Sequence, residues 1–262
     1  MGRLVRTFSL PFLLLFAGAG AAGCHSPSPM AREIDFASGG ANWRDKGGLT
    51  CRISVTPVDQ PAFAGQLVYH VSTHRFVIQR LHDGALEQVG YREGRLWTRA
   101  VPPDDLNQWM QLIVYASFVA VPFDLVDSSV TVRELQPMTL GGESFRIGLI
   151  DRPSAGGKFA IYIGHDDRIP RALTPLPPKT DTDNSDPESQ AKGYAVVYEK
   201  IVTIEGIALP SRWTVRSWDS RQGVGQPVAV VELSDASFGN LQPSASPQFD
   251  WNVAGFGGRW WR

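Results

Sequence analysis

The chain has 262 residues, 43% of them apolar, and a formal net charge of −1 from 25 basic and 26 acidic side chains. That balance excludes a nucleic-acid-binding protein, whose basic surface has to neutralise phosphates. The length suffices to bury one sizeable core.

The first residues have the layout of a secretory signal: Arg3 and Arg6, then the apolar run Leu10 to Phe16, then only small residues from Ala17 to Gly23. The run is too short to cross a hydrocarbon core of about 30 Å, and no later stretch reaches about 18 uninterrupted apolar residues. The mature protein is therefore expected to have no spanning helix. Ala21-Ala22-Gly23-Cys24 resembles the bacterial lipobox, with Ala21 where leucine is commoner. The resemblance implies removal of residues 1–23 and attachment of a diacylglyceryl thioether and an N-acyl chain such as palmitate to Cys24. More than one chain gives stable membrane anchoring. A plain signal cut near Ala22 is the alternative. Position 25 is His, not the Asp that favours inner-membrane retention under the enterobacterial sorting rule. That points to the outer membrane, facing the periplasm. Residues 24–30 read as a Ser/Pro tether.

Residues 31–46 can form a short helix with Ile34 and Trp43 near one face, weakened by Gly39-Gly40 at about 1 kcal/mol per glycine. From residue 49 onward, apolar and polar side chains alternate between turns, the mark of an antiparallel sheet with one wet face. Strands fit residues 49–55, 65–71, 75–81, 86–91 and 95–99, with Asp83-Gly84 as a tight hairpin turn. Cys51 falls on an apolar position of the first strand and reads as a buried core thiol; with Cys24 acylated it has no disulfide partner. Residues 104–120 read as a helix opened by Asp104 and Asp105, with Leu106, Trp109, Met110, Ile113 and Ser117 at helical spacing and Pro122 as its end. Further strands fit 130–135, 143–150, 158–163, 171–173, 194–204, 207–218 and 228–234, a chain of about ten strands in all. Residues 174–192 are polar and proline-rich and read as a disordered loop between two strands. Residues 241–262 form a C-terminal extension whose tip, Trp260-Trp261, suits contact with an envelope protein partner.

The order of elements resembles the LolA/LolB superfamily of bacterial lipoprotein carriers. The residues that carry the likeness are Gly65-Gln66-Leu67, His74-Arg75-Phe76-Val77-Ile78, Asp83-Gly84 and Tyr91-Arg92-Glu93-Gly94-Arg95-Leu96-Trp97. A second group is Gly206-Ile207-Ala208-Leu209-Pro210, leading into Ser211-Arg212-Trp213-Thr214-Val215. The resemblance spans residues 31–240. It implies a mainly β (α+β) fold: a strongly curved antiparallel sheet, or half-open β-barrel, with one or two helices on its concave side and an apolar cavity for acyl chains. The helix after residue 104 and the 174–192 insert depart from the smallest members.

A concave face of that kind would hold lipid tails through large apolar side chains, at about 0.8 kcal/mol per methylene removed from water. The candidates for its wall or lid are Phe76, Trp97, Trp109, Phe118, Phe123, Phe145, Tyr162 and Trp213, each of which also suits a sealed core. The spacing of His70 and His74 suits a metal only on a helix, because residues four apart on a strand lie about 13 Å apart. No metal site is therefore expected. His165-Asp166-Asp167-Arg168 reads as a polar hairpin turn. There is no nucleophile elbow, phosphate-binding loop or paired Cys-x-x-Cys.

The first reading is accordingly a lipid-anchored, noncatalytic envelope protein that binds a lipid or the acyl chain of a lipoprotein and needs no cofactor. A second is a structural or assembly lipoprotein of the outer membrane with a filled core. A third is an envelope hydrolase with groups such as His165 and Asp166 converging in a polar cleft. Mass spectrometry of protein extracted from its host's membranes is expected to find the mature chain starting at acylated Cys24. An unmodified N-terminus would remove the anchor from all three readings.

Overall fold

The computed structural model describes residues 26–73, 75–92, 95–102, 105–140, 142–152, 157–175, 192–219 and 223–239. The signal segment, Cys24, His25, most of the 174–192 run and the extension bearing Trp260 and Trp261 lie outside the described residues.

Twelve strands form among the described residues, one for each alternating segment: β1 (Gly48–Pro57), β2 (Phe63–His70), β3 (Arg75–His82), β4 (Ala85–Arg92), β5 (Arg95–Arg99) and β6 (Thr131–Leu140), followed by β7 (Glu143–Arg152), β8 (Gly157–Gly164), β9 (Pro170–Pro175), β10 (Lys192–Ile204), β11 (Ile207–Asp219) and β12 (Gly223–Gly239). They make one antiparallel sheet in the order β5-β4-β3-β2-β1-β12-β11-β10-β9-β8-β7-β6. Two meanders, β1–β5 and β6–β12, are thus joined through the β1–β12 pair, whose register runs from Gly48 opposite Gly239 to Pro57 opposite Ala229. The sheet is open and curved. Breaks of register at Cys51 in β1, between Leu135 and Met138 in β6 and around Lys200 in β10 bend its strands.

Strands β5 and β6 follow one another in the chain but lie at opposite edges of the sheet. The connection between them has to traverse the whole sheet, and it carries α3 (Leu106–Ser117) and α4 (Val121–Asp124). Pro122 does not end the long helix as the sequence suggests. It sits in the first turn of α4, where its missing N–H costs nothing; α3 ends at Ser117, and Phe118 caps it.

The segment expected as one helix over 31–46 forms two, α1 (Pro29–Ala37) and α2 (Gly40–Arg44). The Ser28 hydroxyl accepts from the Ala31 N–H at 3.2 Å and Pro29 opens the helix, so α1 begins inside the stretch read as tether. Met30, Ala31 and Ile34 are buried on one side of it. At Gly39 the backbone turns left-handed, with φ +78°, and the helix breaks. A bidentate pair from Arg44 to Asp35, at 2.7 and 2.9 Å, holds the two pieces together. No described helix is long and apolar enough to cross a membrane.

The corner between α1 and α2 docks on the β10–β11 hairpin. Glu205 and Gly206, at φ +51° and +74°, make the two-residue turn between paired Ile204 and Ile207. The Ala208 N–H donates to the Ser38 carbonyl at 3.0 Å, and the Asn42 amide reaches the Glu205 and Gly206 carbonyls at 3.4 Å. A Cβ on Gly39 would lie 2.0 Å from the Gly206 carbonyl oxygen. Gly39→Ala is therefore expected to cost about 2–3 kcal/mol through strain and overlap. Thermal melting should show a clear fall in Tm, whereas Gly84→Ala, at a turn with open space around it, should fall less.

Candidate functional site: the concave face and its rim

Pairing sets which side chains share a face. On β1, Leu49, Cys51, Ile53 and Val55 point to the helix-covered side, opposite Tyr69, Leu67, Gly65 and Phe63 of β2. The same face continues through Phe76 and Ile78 of β3, Val89 of β4 and, beyond β12, through Trp213, Val215, Val196 and Leu173. The four helices close over it, and together these side chains form one continuous core. Cys51 lies in that core, and burial pushes its thiol up to about 12.

Five of the eight aromatic candidates meet there. Phe76 stacks beside Tyr69 at 6.3 Å between ring centres, and Tyr69 in turn meets Trp43 of α2 at 5.4 Å. Phe123 of α4 stacks on Trp43 at 4.2 Å. Trp109 of α3 presents its edge to Phe63 at 5.0 Å, and Trp213 of β11 meets Tyr198 at 6.5 Å. Phe118 caps α3, and its carbonyl accepts from the buried Tyr198 hydroxyl at 2.9 Å. The desolvated Tyr198 phenol is held far above its ordinary range.

The other three do not join them. Gly148 of β7 faces Met30 of α1, so Phe145, three residues away, faces outward; Tyr162 pairs with Ile147 on that same outer side. Trp97 lies over Gly90, where an added Cβ would fall 2.2 Å from its ring, and Gly90 alternates with the core residue Val89. The residues that sequence reasoning left out are Phe63, Tyr69 and Tyr198. Phe63 and Tyr69 share the alternation of Leu67, which was the available signal; for Tyr198 only its packing under α3 distinguishes it.

The packing is close. Trp109 and Trp213 are fully buried and Trp43 nearly so. Neither indole N–H of Trp109 or Trp213 has an acceptor among the described residues, a cost of about 1–3 kcal/mol for each. At the rim, Arg80 lies 4.3 Å over the Phe63 ring and 5.4 Å from Trp109. It donates to Glu87 at 2.5 Å and to Asp105, just ahead of α3, at 2.7 Å; His82 completes the cluster at 3.1 Å from Glu87. Asp105 thus spends its carboxylate on Arg80 and makes no side-chain cap to α3.

Two hollows among the described residues bear on the candidates. One, of about 640 Å³, lies between α1 and the turn at 165–168 and is lined by Arg32, Glu33, Phe36, Asp166, Asp167 and Arg168 among others. The second, of about 500 Å³, lies near Arg52, Gln66, Gln79 and Leu86. None of the eight candidates lines either one. His165 and Asp166 stand 3.4 Å apart on the outside of the turn, the Asp166 side chain fully exposed. Among the described residues, no three metal-ligating side chains of His, Cys, Asp or Glu come together.

A solved LolA superfamily protein from Nitrosomonas europaea shares this architecture, with a TM-score of 0.51 and 12% identity over 81% of this chain and 94% of that one. The fold is LolA-like. A DUF1329 family protein from Desulfovibrio piger aligns at a TM-score of 0.42 and 9% identity, over 80% and 93% of the two chains. No protein-family model and no curated protein matches the sequence.

In this LolA-like sheet, α3 is fastened by side chains at its two ends, Asp105 to Arg80 and the Phe118 carbonyl to Tyr198. Tyr198→Phe removes the buried donor to that carbonyl. The expected cost is about 1–3 kcal/mol, read as a lower urea midpoint with the slope unchanged.

Proposed function

We propose that this chain is a lipid-tethered, noncatalytic protein of the bacterial envelope, held to the outer membrane through Cys24, that binds a lipid or the acyl chain of a lipoprotein between its curved sheet and α3. The observation that carries this reading is the way α3 covers the apolar concave face. It crosses from Arg80 of β3 to Tyr198 of β10, tied at its start by an ion pair and at its end by the Tyr198 hydroxyl. Each acyl methylene taken from water into that face contributes about 0.8 kcal/mol, so one chain can offset the side-chain contacts that α3 gives up in moving. The ester or amide carbonyl of such a ligand is an acceptor for the Trp109 or Trp213 indole N–H, which have none among the described residues.

A second reading is favoured by the sealing of Trp43, Trp109 and Trp213: a structural or assembly lipoprotein whose core stays filled. It would use its surface, the C-terminal aromatic tip included, to contact an envelope protein. The hydrolase reading draws no support, because His165 and Asp166 stand on an exposed turn and His165 lines neither hollow.

Native mass spectrometry of the protein from its own host separates the two, since a carrier retains lipid in stoichiometric amount and a filled core retains none. Titration with a fluorescent fatty acid adds a test of the gate. Arg80→Ala frees the start of α3 and is expected to raise affinity several-fold; no binding by either form would leave only the assembly reading.

A further inference from the structure

The outward face of α1 belongs to neither the core nor the concave site. Pro29, Arg32 and Phe36 are its exposed positions, spaced three and four residues apart and hence on one stripe. Phe36 is 87% exposed, more than any other large apolar side chain among the described residues. The opposite side of the helix is packed down, with Met30, Ala31 and Ile34 buried, and beside the exposed stripe Glu33 pairs with Arg146 at 2.5 Å and Arg168 at 3.0 Å. The bond from Arg146 holds the Glu33 carboxyl below its usual range. The helix therefore cannot roll to hide Phe36 without breaking those pairs and emptying part of the core.

The chain ahead of α1 limits how far such a face can lie from Cys24. Four residues lie between Cys24 and Pro29, so five steps of chain span at most about 18 Å when fully extended, and Phe36 lies about 10 Å further along the helix. We infer that, in the lipid-anchored form, α1 docks on the bilayer surface, with Phe36 entering the boundary between headgroups and acyl chains. This rests on acylation of Cys24 as proposed above. Arg32 and Arg168 border the hollow beside Phe36 and supply guanidinium donors to headgroup phosphates. The acids of that hollow do not all oppose this: Glu33 is taken by two arginines and Asp167 by Arg171, which leaves Asp166 facing solvent. Docking of this kind would fix how the sheet stands over the membrane, which a lipid tether alone leaves free.

The test uses lipidated full-length protein in vesicles of phosphatidylethanolamine and phosphatidylglycerol. A nitroxide is placed at Phe36→Cys and, for comparison, at Val58→Cys, an exposed site at the far end of the ten-residue β1; the buried Cys51 thiol is shielded from the label. Docking predicts lipid-depth accessibility at position 36, with high oxygen and low nickel-chelate collision rates, and water-like accessibility at position 58. Water-like values at both positions in protein that remains vesicle-bound and acylated would overturn the docking and leave the anchor standing. Absence of acyl mass on Cys24 would overturn the anchor and this inference together.

Discussion

The β1–β12 ladder joins the first strand of the sheet to the last, and the concave face exists only because of it. Every other strand pair is between neighbours in the chain and closes by a hairpin or a longer local connection. Without the ladder, two separate meanders would each leave an apolar side and a raw edge in water. With it, Val231 and Leu233 come opposite Val55 and Ile53 in the centre of one continuous surface. Closing so long a loop is entropically costly, and folding should be correspondingly slow.

The same topology dictates where the helices lie. Since β5 and β6 occupy opposite edges, the chain between them must run over a face, and it takes the face lined by Phe63, Leu67, Ile78 and Trp213. Its amphipathic segment, with Trp109, Leu112, Ile113 and Ala116 turned inward, fits there. Such a cover is less firmly held than a strand, because the sheet gives it no ladder of main-chain hydrogen bonds. Two kinds of contact meet in one element: α3 seals the core by packing, while its start is tied to Arg80 and its end to Tyr198.

The sheet's other face divides into two regions. Over β2, β3 and β4 it carries a ladder of amides, Gln66 to Gln79 at 2.8 Å and Gln79 to Gln88 at 3.0 Å. Over β6, β7 and β8 it carries Leu135, Met138, Phe145, Ile147 and Tyr162. That second region misleads a reading from sequence. In β7, Phe145 and Ile147 have the alternation of core residues, but the helix side of that strand is given to Gly148 and Ile150, because Met30 needs the room above Gly148.

Much was legible in the residues themselves. Period-two alternation marked every strand, Asp83-Gly84 marked a hairpin, and the spacing of Leu106, Trp109 and Ile113 marked α3, because these signals arise from backbone geometry and local burial. The likeness to a lipoprotein carrier was likewise carried by turn punctuation. What alternation cannot express is which of two faces is covered, so Phe76 and Trp213, which lie on the helix-covered face, were grouped with Trp97, Phe145 and Tyr162, which the register turns the other way. Pro122 shows the same limit, since a proline that stops one helix serves equally to start another. The sequence by itself determined the strands and the turns, each set by a few neighbouring residues. The pairing of β1 with β12, the face that α3 covers and the exposure of Phe36 were decided only in the tertiary structure, because each depends on contacts between segments far apart in the chain.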